Sequence, residues 1–287
     1  MRTVKLCILL SGFFLFSMCG QKEKSVSEKS ASEEKVKEKD LNIVFISGCN
    51  EYVSHITLKE FKKTLEDTYS NLRVTILQAD GPLNVKGEYS NLNGTEALAD
   101  CDLLLTFVRR TTISGKAIED IKNYVKSGKP LVALRTSSHG FQSWPEFDKE
   151  VLGGNYSLHF KGEPEKRKLG PDGMAYTVGE PSGEPQKVTV DSLNKDHPVL
   201  EGIQDFVSKY SLYKTAPIAG DAKLLLTGKT SEGSQPVAWT RDQNGRRIVY
   251  IALGGVQDWK NPIFVKLLTN SLFWAADFKA ERTLNKK

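Results

Sequence analysis

The run Leu131-Val-Ala-Leu134, introduced by Gly128-Lys-Pro130 and cut off by Arg135-Thr-Ser-Ser-His139, constrains this chain more than any other stretch. Consecutive apolar residues without alternation read as a strand buried on both faces, and such strands belong to parallel sheets covered by helices. In open α/β sheets, ligands gather where strands end at their carboxyl edge. A guanidinium, three hydroxyls and an imidazole placed together at that edge are unfavourable to bury without partners. The stretch therefore predicts a fold class and a place for a site, and it continues through Trp144-Pro-Glu-Phe-Asp148.

Other segments extend the pattern. Leu41–Ile46, Arg73–Leu77 and Asp102–Val108 read as three earlier strands. Between the first two, Ile56, Leu58, Phe61, Leu65 and Tyr69 recur at helical spacing, with Ser54 or Thr57 as the expected cap. Ser114 opens a second helix bearing Ile118, Ile121, Tyr124 and Val125, which Gly128 closes. Strands alternating with amphipathic helices predict a parallel sheet with crossovers on both faces. Beyond Trp144 the alternation loosens. Gly162–Pro185, rich in Gly, Pro, Lys and Glu, reads as a surface excursion. Lys187–Val190, Lys223–Thr227, Val237–Thr240 and Arg247–Leu253 read as further strands, some antiparallel. Asn261–Asp277 is the clearest helix, with a stripe of Ile263, Phe264, Leu267, Leu268, Leu272 and Ala275.

At the amino end, Arg2 and Lys5 precede an apolar stretch, Leu6 to Met18, that is shorter than the roughly 20 residues a membrane span needs. It fits a secretory signal over residues 1–19. Phe16-Ser-Met-Cys19-Gly20 resembles a bacterial lipobox, which makes Cys19 the expected lipidation site. Residues 20–40 form a charged tether: Gln21–Asp40 holds six Lys and six acidic residues and no aromatic, too little apolar surface to offset the entropy of ordering. Without Arg2 and Lys5, 38 of the 40 basic residues remain against 35 acidic, a mild excess with no basic stripe that disfavours nucleic-acid binding. Residues 41–278 suffice for one α/β domain, and 279–287 read as a polar tail. Cys49 follows the first strand and Cys101 precedes a later one, so they lie near opposite sheet edges and no disulfide is expected.

Four histidines stand outside the signal: His55, His139, His159 and His197. None is paired at the i, i+4 spacing of a helical zinc motif, so no metal and no cofactor is expected; a metal site would have to be assembled across loops from His55, His139 and His159. His197, in Asp196-His-Pro198, reads as a turn residue capping local backbone. Arg109-Arg110 end the third strand and Arg135 the fourth, so they converge if those strands are neighbours, and an Arg fork can hold a carboxylate or an array of sugar hydroxyls. Ser137 or Ser138 beside His139 offers a dyad, but no glycine precedes the turn as a nucleophile elbow requires, which disfavours acyl-enzyme chemistry. Tyr52, Trp144, Trp239 and Trp259 lie near strand ends or loops; rings exposed in a cleft stack on sugars, and buried ones are core. Trp274, on the last helix, reads as packing.

Taken in order, Leu105-Thr-Phe-Val-Arg-Arg110, Gly128 to His139, Trp144 to Asp148, Leu152-Gly-Gly-Asn155, Asp196-His-Pro198, Gln235-Pro-Val-Ala-Trp239 and Leu253-Gly254 resemble the ThuA-like (trehalose utilisation) family. The resemblance spans about Leu41 to Phe278. It implies a flavodoxin-like, three-layer α/β sandwich with a mainly parallel sheet, as in class I glutamine amidotransferases, and a role on keto-sugars or related glycosides. It also puts Thr136 near the place where those amidotransferases carry a catalytic Cys. Thr lacks a thiolate's acidity and polarisability, so glutaminase activity is not implied. The family's Leu-Gly-His near the last strand reads Leu253-Gly254-Gly255 here.

The expectation is a lipid-anchored protein of the bacterial cell envelope, periplasmic or on the outer-membrane side, or secreted if the lipobox is unused. It would bind or process a carbohydrate or other small polar ligand. His139 would be general acid or base, because its ordinary pKa near 6.5 suits proton transfer. Arg135 with Arg109 or Arg110 would orient hydroxyls, with Thr136, Ser137, Ser138, Trp144 and Tyr52 lining the site and His55 and His159 in reserve. The rivals are a non-catalytic sugar-binding or scaffold lipoprotein and a metal-assisted hydrolase.

Overall fold

Ten strands form one continuous sheet, parallel at its centre and antiparallel along one flank. The computed structural model describes residues 40–81, 89–160, 167–169, 175–177, 184–243 and 245–283. The expected signal, Cys19, the tether before Asp40 and much of the 162–185 excursion lie outside the described residues.

The amino-terminal half alternates strand and helix: β1 (Leu41–Gly48), α1 (Ser54–Thr68), β2 (Leu72–Asp80), β3 (Asn91–Leu92), β4 (Leu103–Val108), α2 (Gly115–Lys126) and β5 (Leu131–Leu134). Strands dominate thereafter: β6 (Leu158–His159), β7 (Arg167–Leu169), β8 (Ala175–Thr177), β9 (Gln186–Val190), β10 (Phe206–Ser208), β11 (Tyr213–Lys214), β12 (Ala222–Thr230), β13 (Gly233–Gln243) and β14 (Arg246–Ile251), before α3 (Pro262–Ala276). Across the sheet the order is β10-β9-β12-β13-β14-β5-β4-β1-β2-β3, while β6 pairs with β11 and β7 with β8.

The expected mainly parallel sheet is corrected to a mixed one. The run β2-β1-β4-β5-β14 is parallel, whereas β14-β13-β12-β9-β10 and the β2–β3 edge are antiparallel. Burial explains the division. Every residue of β4 and β5 is buried, as strands covered on both faces require, while β9 and β12 alternate toward exposure and tolerate antiparallel neighbours.

Aromatic packing fixes α1 and α3 to one face. Phe61 of α1 stacks on Phe45 of β1 at 5.9 Å, and Trp259 touches Phe61, Phe107 and Phe264 at 5.8, 6.2 and 5.3 Å. Leu58, Phe61 and Leu65 are buried as the helical spacing predicts, but Ile56 is 40% exposed and Tyr69 falls just past the helix end. The expected cap is replaced: Val53 precedes α1 in the left-handed region. Ser54 Oγ accepts instead from Cys49 N at 2.9 Å and lies 2.8 Å from Ser47 Oγ, tying the helix start to the end of β1. Gly128 closes α2 with φ +78°. Cys49 and Cys101 are buried thiols, and Val199 N donates to His197 Nδ1 at 3.2 Å, the local cap expected of that ring.

The start of the expected polar tail is tied to the domain. Asn71 Nδ2 donates to Lys279 O at 3.1 Å, and Ser70 N donates to Glu281 O at 2.9 Å. No helix among the described residues is long and apolar enough to cross a membrane.

Candidate functional site

All five parallel strands deliver their carboxyl ends to one edge, and the chain is strained as it leaves β1, β4 and β5. Val53, Arg110 and Arg135, in the loops that follow them, hold φ of 47°, 46° and 38°. Left-handed backbone is uncommon for residues with a Cβ, and such strain collects at functional sites.

Arg135 is 0% exposed. Its guanidinium donates to Ala252 O at 3.0 Å, Tyr52 Oη at 3.1 Å and Ser211 O at 3.3 Å. The rings of Tyr52 and Tyr213 lie 4.6 and 4.4 Å away, and Tyr210 5.6 Å. Ring quadrupoles and carbonyl dipoles thus replace the water this charge has lost. The expected ligand-orienting Arg135 and the sugar-stacking Tyr52 are corrected to an internal clamp, which ties together the loop after β1, the segment before β11 and the end of β14. Thr136 and Ser137 are buried with it. Ser137 Oγ donates to Thr106 O at 2.9 Å, joining the turn to β4 rather than lining a cleft.

Arg109 and Arg110 end β4 beside this turn, as expected of neighbouring strands. Arg109 pairs with Glu51, from the loop after β1, and Arg110 N donates to His139 O at 3.0 Å.

Past the clamp the chain opens a cavity of about 290 Å³, walled in part by Ser138, His139, Trp144, Asp148, Gly154 and Tyr156. The His139 ring stacks on Tyr156 at 4.3 Å, and its Nδ1 lies 3.2 Å from Ser138 Oγ. Burial, then the charges of Arg109, Arg110 and Arg135, hold its pKa well below the usual imidazole range. The expectation of a histidine titrating near neutrality is therefore corrected: His139 is a neutral imidazole at pH 7.

Asp148 was legible as part of the Trp144–Asp148 stretch but not as a site residue. It sits on a π-helical turn, Phe147–Leu152, and is 7% exposed. Its Oδ2 accepts from Tyr156 N at 2.7 Å, while Oδ1 has no hydrogen-bond partner among the described residues. Burial pushes this carboxyl up to about 6. A Cβ at Gly154 would stand 2.5 Å from Oδ1, so the glycine makes room for the carboxylate. The sequence signal was an acid directly after Phe147 in a short helical turn, followed by Gly153-Gly154.

Trp144 is half-buried on the cavity wall. Trp239 is core, donating from Nε1 to Leu152 O at 2.7 Å, and Trp259 packs between α1 and α3. His159 is exposed on β6 with its ring 6.3 Å from that of Tyr213, close enough to contribute to the field at His139. His55 lies on the first turn of α1 and does not wall the cavity. Among the described residues no group of three His, Cys, Asp or Glu side chains could hold a metal ion.

The model of the ThuA family, described as trehalose utilisation, matches residues 42–275. This chain belongs to the ThuA family. Two solved ThuA-like proteins share its fold. The one from Parabacteroides merdae ATCC 43184 superposes with a TM-score of 0.59 at 17% identity, covering 86% of this chain and 94% of its own. The one from Bacteroides uniformis ATCC 8492 gives 0.56 at 17%, covering 83% and 92%. A beta-galactosidase from Bacillus circulans sp. alkalophilus gives 0.51 at 13% over 86% of this chain but 34% of that enzyme. No functionally curated protein matches the chain.

As a ThuA member the chain departs from the Leu-Gly-His pattern at Gly255, and the structure supplies a physical account. A Cβ at 255 would fall on the Tyr210 ring, one of the rings around Arg135. Tyr210 Oη accepts from Gln257 N at 3.0 Å, holding the ring there. Asp258 offers no substitute for the missing imidazole: its buried Oδ2 accepts from Gly254 N and Gly255 N, both at 2.9 Å, and closes the turn. The left-handed residue of the β5 turn, the position a nucleophile elbow gives to its nucleophile, is Arg135 rather than Thr136.

Proposed function

We propose that this ThuA-family protein binds a carbohydrate in the cavity between His139 and Trp144 and processes it there. One observation carries the reading: a half-buried indole, a stacked imidazole–tyrosine pair and a buried carboxyl share one cavity at the carboxyl edge of a parallel sheet. Such an edge is where α/β folds bind ligands, and aromatic faces beside a few polar groups suit a sugar ring. The volume lies at the small end of the roughly 300–1,000 Å³ typical of ligand pockets, which favours one sugar unit over a chain. Glutaminase activity is not part of the proposal, since arginine holds the elbow and Thr136 is buried.

The fold itself supports a flavodoxin-like, three-layer reading. β1 to β2 and β4 to β5 step in opposite directions across the sheet, so right-handed crossovers place α1 and α2 on opposite faces. At the amino end we keep lipid anchoring at Cys19 to the bacterial envelope as a proposal. Labelled fatty acid should be incorporated by the wild type and not by Cys19→Ala, and equal labelling of both would leave only a cleaved signal.

Calorimetric titration with a panel of monosaccharides, keto-sugars and trehalose tests the cavity. Binding should appear for at least one sugar and weaken by about tenfold or more in Trp144→Ala, which removes a stacking face. A sugar that binds the wild type and both Trp144→Ala and His139→Ala equally would place the site elsewhere. Binding without turnover would favour the non-catalytic sugar-binding lipoprotein.

A further inference from the structure

We propose that Ser138 fixes His139 in one tautomer, with the proton on Nδ1, and that the bare Nε2 accepts a hydrogen bond from a sugar hydroxyl. The inference rests on reading the cavity as a carbohydrate site and names the group of the sugar that the imidazole selects. Ser138 is a positioning residue, and His139 decides specificity.

Three segments hold the ring in place. Its backbone is pinned to the end of β4, where Arg110 N donates to His139 O at 3.0 Å and Thr111 N to Gly140 O at 2.7 Å. A Cβ at Gly140 would collide with Val108, so the turn seats against β4 only with glycine there. One ring face stacks on Tyr156 at 4.3 Å, and Tyr213 lies tilted 5.9 Å away. The Nδ1 edge meets Ser138.

One proton arrangement satisfies that edge. Ser138 Oγ lies 3.2 Å from Arg135 O and 3.2 Å from His139 Nδ1. A carbonyl oxygen can only accept, so the single hydroxyl proton goes to Arg135 O, whose second lone pair takes Tyr250 Oη at 2.7 Å. Nδ1 must then donate to the hydroxyl oxygen, and the neutral imidazole keeps Nε2 bare. The reverse arrangement spends the hydroxyl proton on Nδ1. It leaves two buried oxygens facing each other with no proton between them, which is unfavourable.

The half-buried ring walls the cavity, and Nε2 makes no hydrogen bond among the described residues. Arg109, Arg110 and Arg135, with His159 from β6, oppose a second proton on the ring, and Glu51 offsets only part of that field. An acceptor with no proton of its own sorts ligands. An O–H fits, whereas a carbonyl oxygen, a carboxylate or a fluorine at the same place meets a lone pair. Sites built around a ligand hydroxyl reject analogues that lack it, because their own polar group is then left unpaired.

The test has a ligand-free arm and a binding arm. Nitrogen-15 NMR of the full chain labelled at histidine, with His139→Gln for assignment, should show a protonated Nδ1 and a bare Nε2. Ser138→Ala should shift the ring toward the form protonated on Nε2. A wild-type ring protonated on Nε2, or a tautomer that Ser138→Ala leaves unchanged, would overturn the assignment whether or not any sugar binds. The binding arm is calorimetry with D-glucose, D-galactose and D-mannose, each beside its mono-deoxyfluoro analogues. For the hexose that binds, fluorine at one position should weaken binding at least tenfold. The Nε2 resonance should move upfield with the parent sugar and not with that analogue, and Ser138→Ala should cut the difference between them to less than threefold. Equal binding of every fluoro analogue would reject the acceptor role and leave the binding site standing. Binding of none of the hexoses would remove the hydroxyl together with the carbohydrate reading, while the nitrogen spectrum still decides the tautomer.

Discussion

The β5 turn and the cavity a few residues beyond it hold similar side chains in opposite states. At the turn, the charge of Arg135 is closed off by three tyrosine rings, a tyrosine hydroxyl and two backbone carbonyls, and nothing of it is exposed. In the cavity, Asp148 is almost as deeply buried but keeps an oxygen without a partner among the described residues, and burial holds the His139 pKa well below its ordinary value. A buried charge enclosed by acceptors and ring faces from distant segments contributes to the fold. A buried carboxyl that borders a cavity, with no cation beside it among the described residues, is an energetic burden of the kind found at functional sites. Polar burial at a strand edge is therefore not one signal but two, distinguished by whether the group is enclosed by the protein or borders a cavity.

Substitutions can break this contrast. The largest effect belongs to Arg135→Met, which strips the clamp and leaves its carbonyl and hydroxyl partners unpaired. It should lower stability by roughly 3–5 kcal/mol in urea unfolding, at about 1–3 kcal/mol for each acceptor left buried without a donor. A loss below about 1 kcal/mol would mean that the cage is decoration and the arginine is free for a ligand.

Asp148→Asn should act in the opposite direction. The folded-state pKa of Asp148 lies near 6, above its ordinary 3.8, so its contribution to stability is present below 3.8 and is lost as pH rises through 6. The wild type bears that burden at pH 8 and the amide does not, so the variant should be more stable at pH 8 by up to roughly 3 kcal/mol. The gain should fade toward pH 4. His139 has the reverse sign: its folded pKa is depressed, so its contribution is present above about 6.5 and is lost as pH falls. A variant equally stable, relative to wild type, at pH 4 and pH 8 would remove the strained-carboxyl reading.

Gly255→His tests the clamp from its other side with a smaller effect. Restoring the family imidazole drives a Cβ into Tyr210, and overpacking of this kind costs about 1–3 kcal/mol. Tyr210→Ala in the same chain should recover part of that loss, because the two side chains compete for one space. Thermal midpoints of the single and double variants measure the coupling, and additive losses would show that Tyr210 and position 255 are independent.

Local pattern determined much of this protein. The apolar run of β5, the helical spacings of α2 and α3 and the turn at His197 are short-range signals, each decided by hydrophobic period or by a cap a few residues away. Family motifs spread through the chain were legible for the same reason. They also pointed to the carboxyl edge of the parallel strands, where Arg109, Arg110, Arg135 and His139 meet. The sequence could not tell which of them the protein encloses and which border a cavity, because that depends on partners distant in the chain: Ala252, Ser211, Tyr210 and Tyr213 enclose Arg135 from beyond residue 200. The antiparallel flank was legible only as further strands, some antiparallel; which of them pair, and in which direction, is set across long connections rather than by composition. The pKa values of His139 and Asp148 belong to tertiary structure alone. Burial moves both and the field of three arginines adds to the shift of His139, and neither exists until the strands that carry those residues lie side by side.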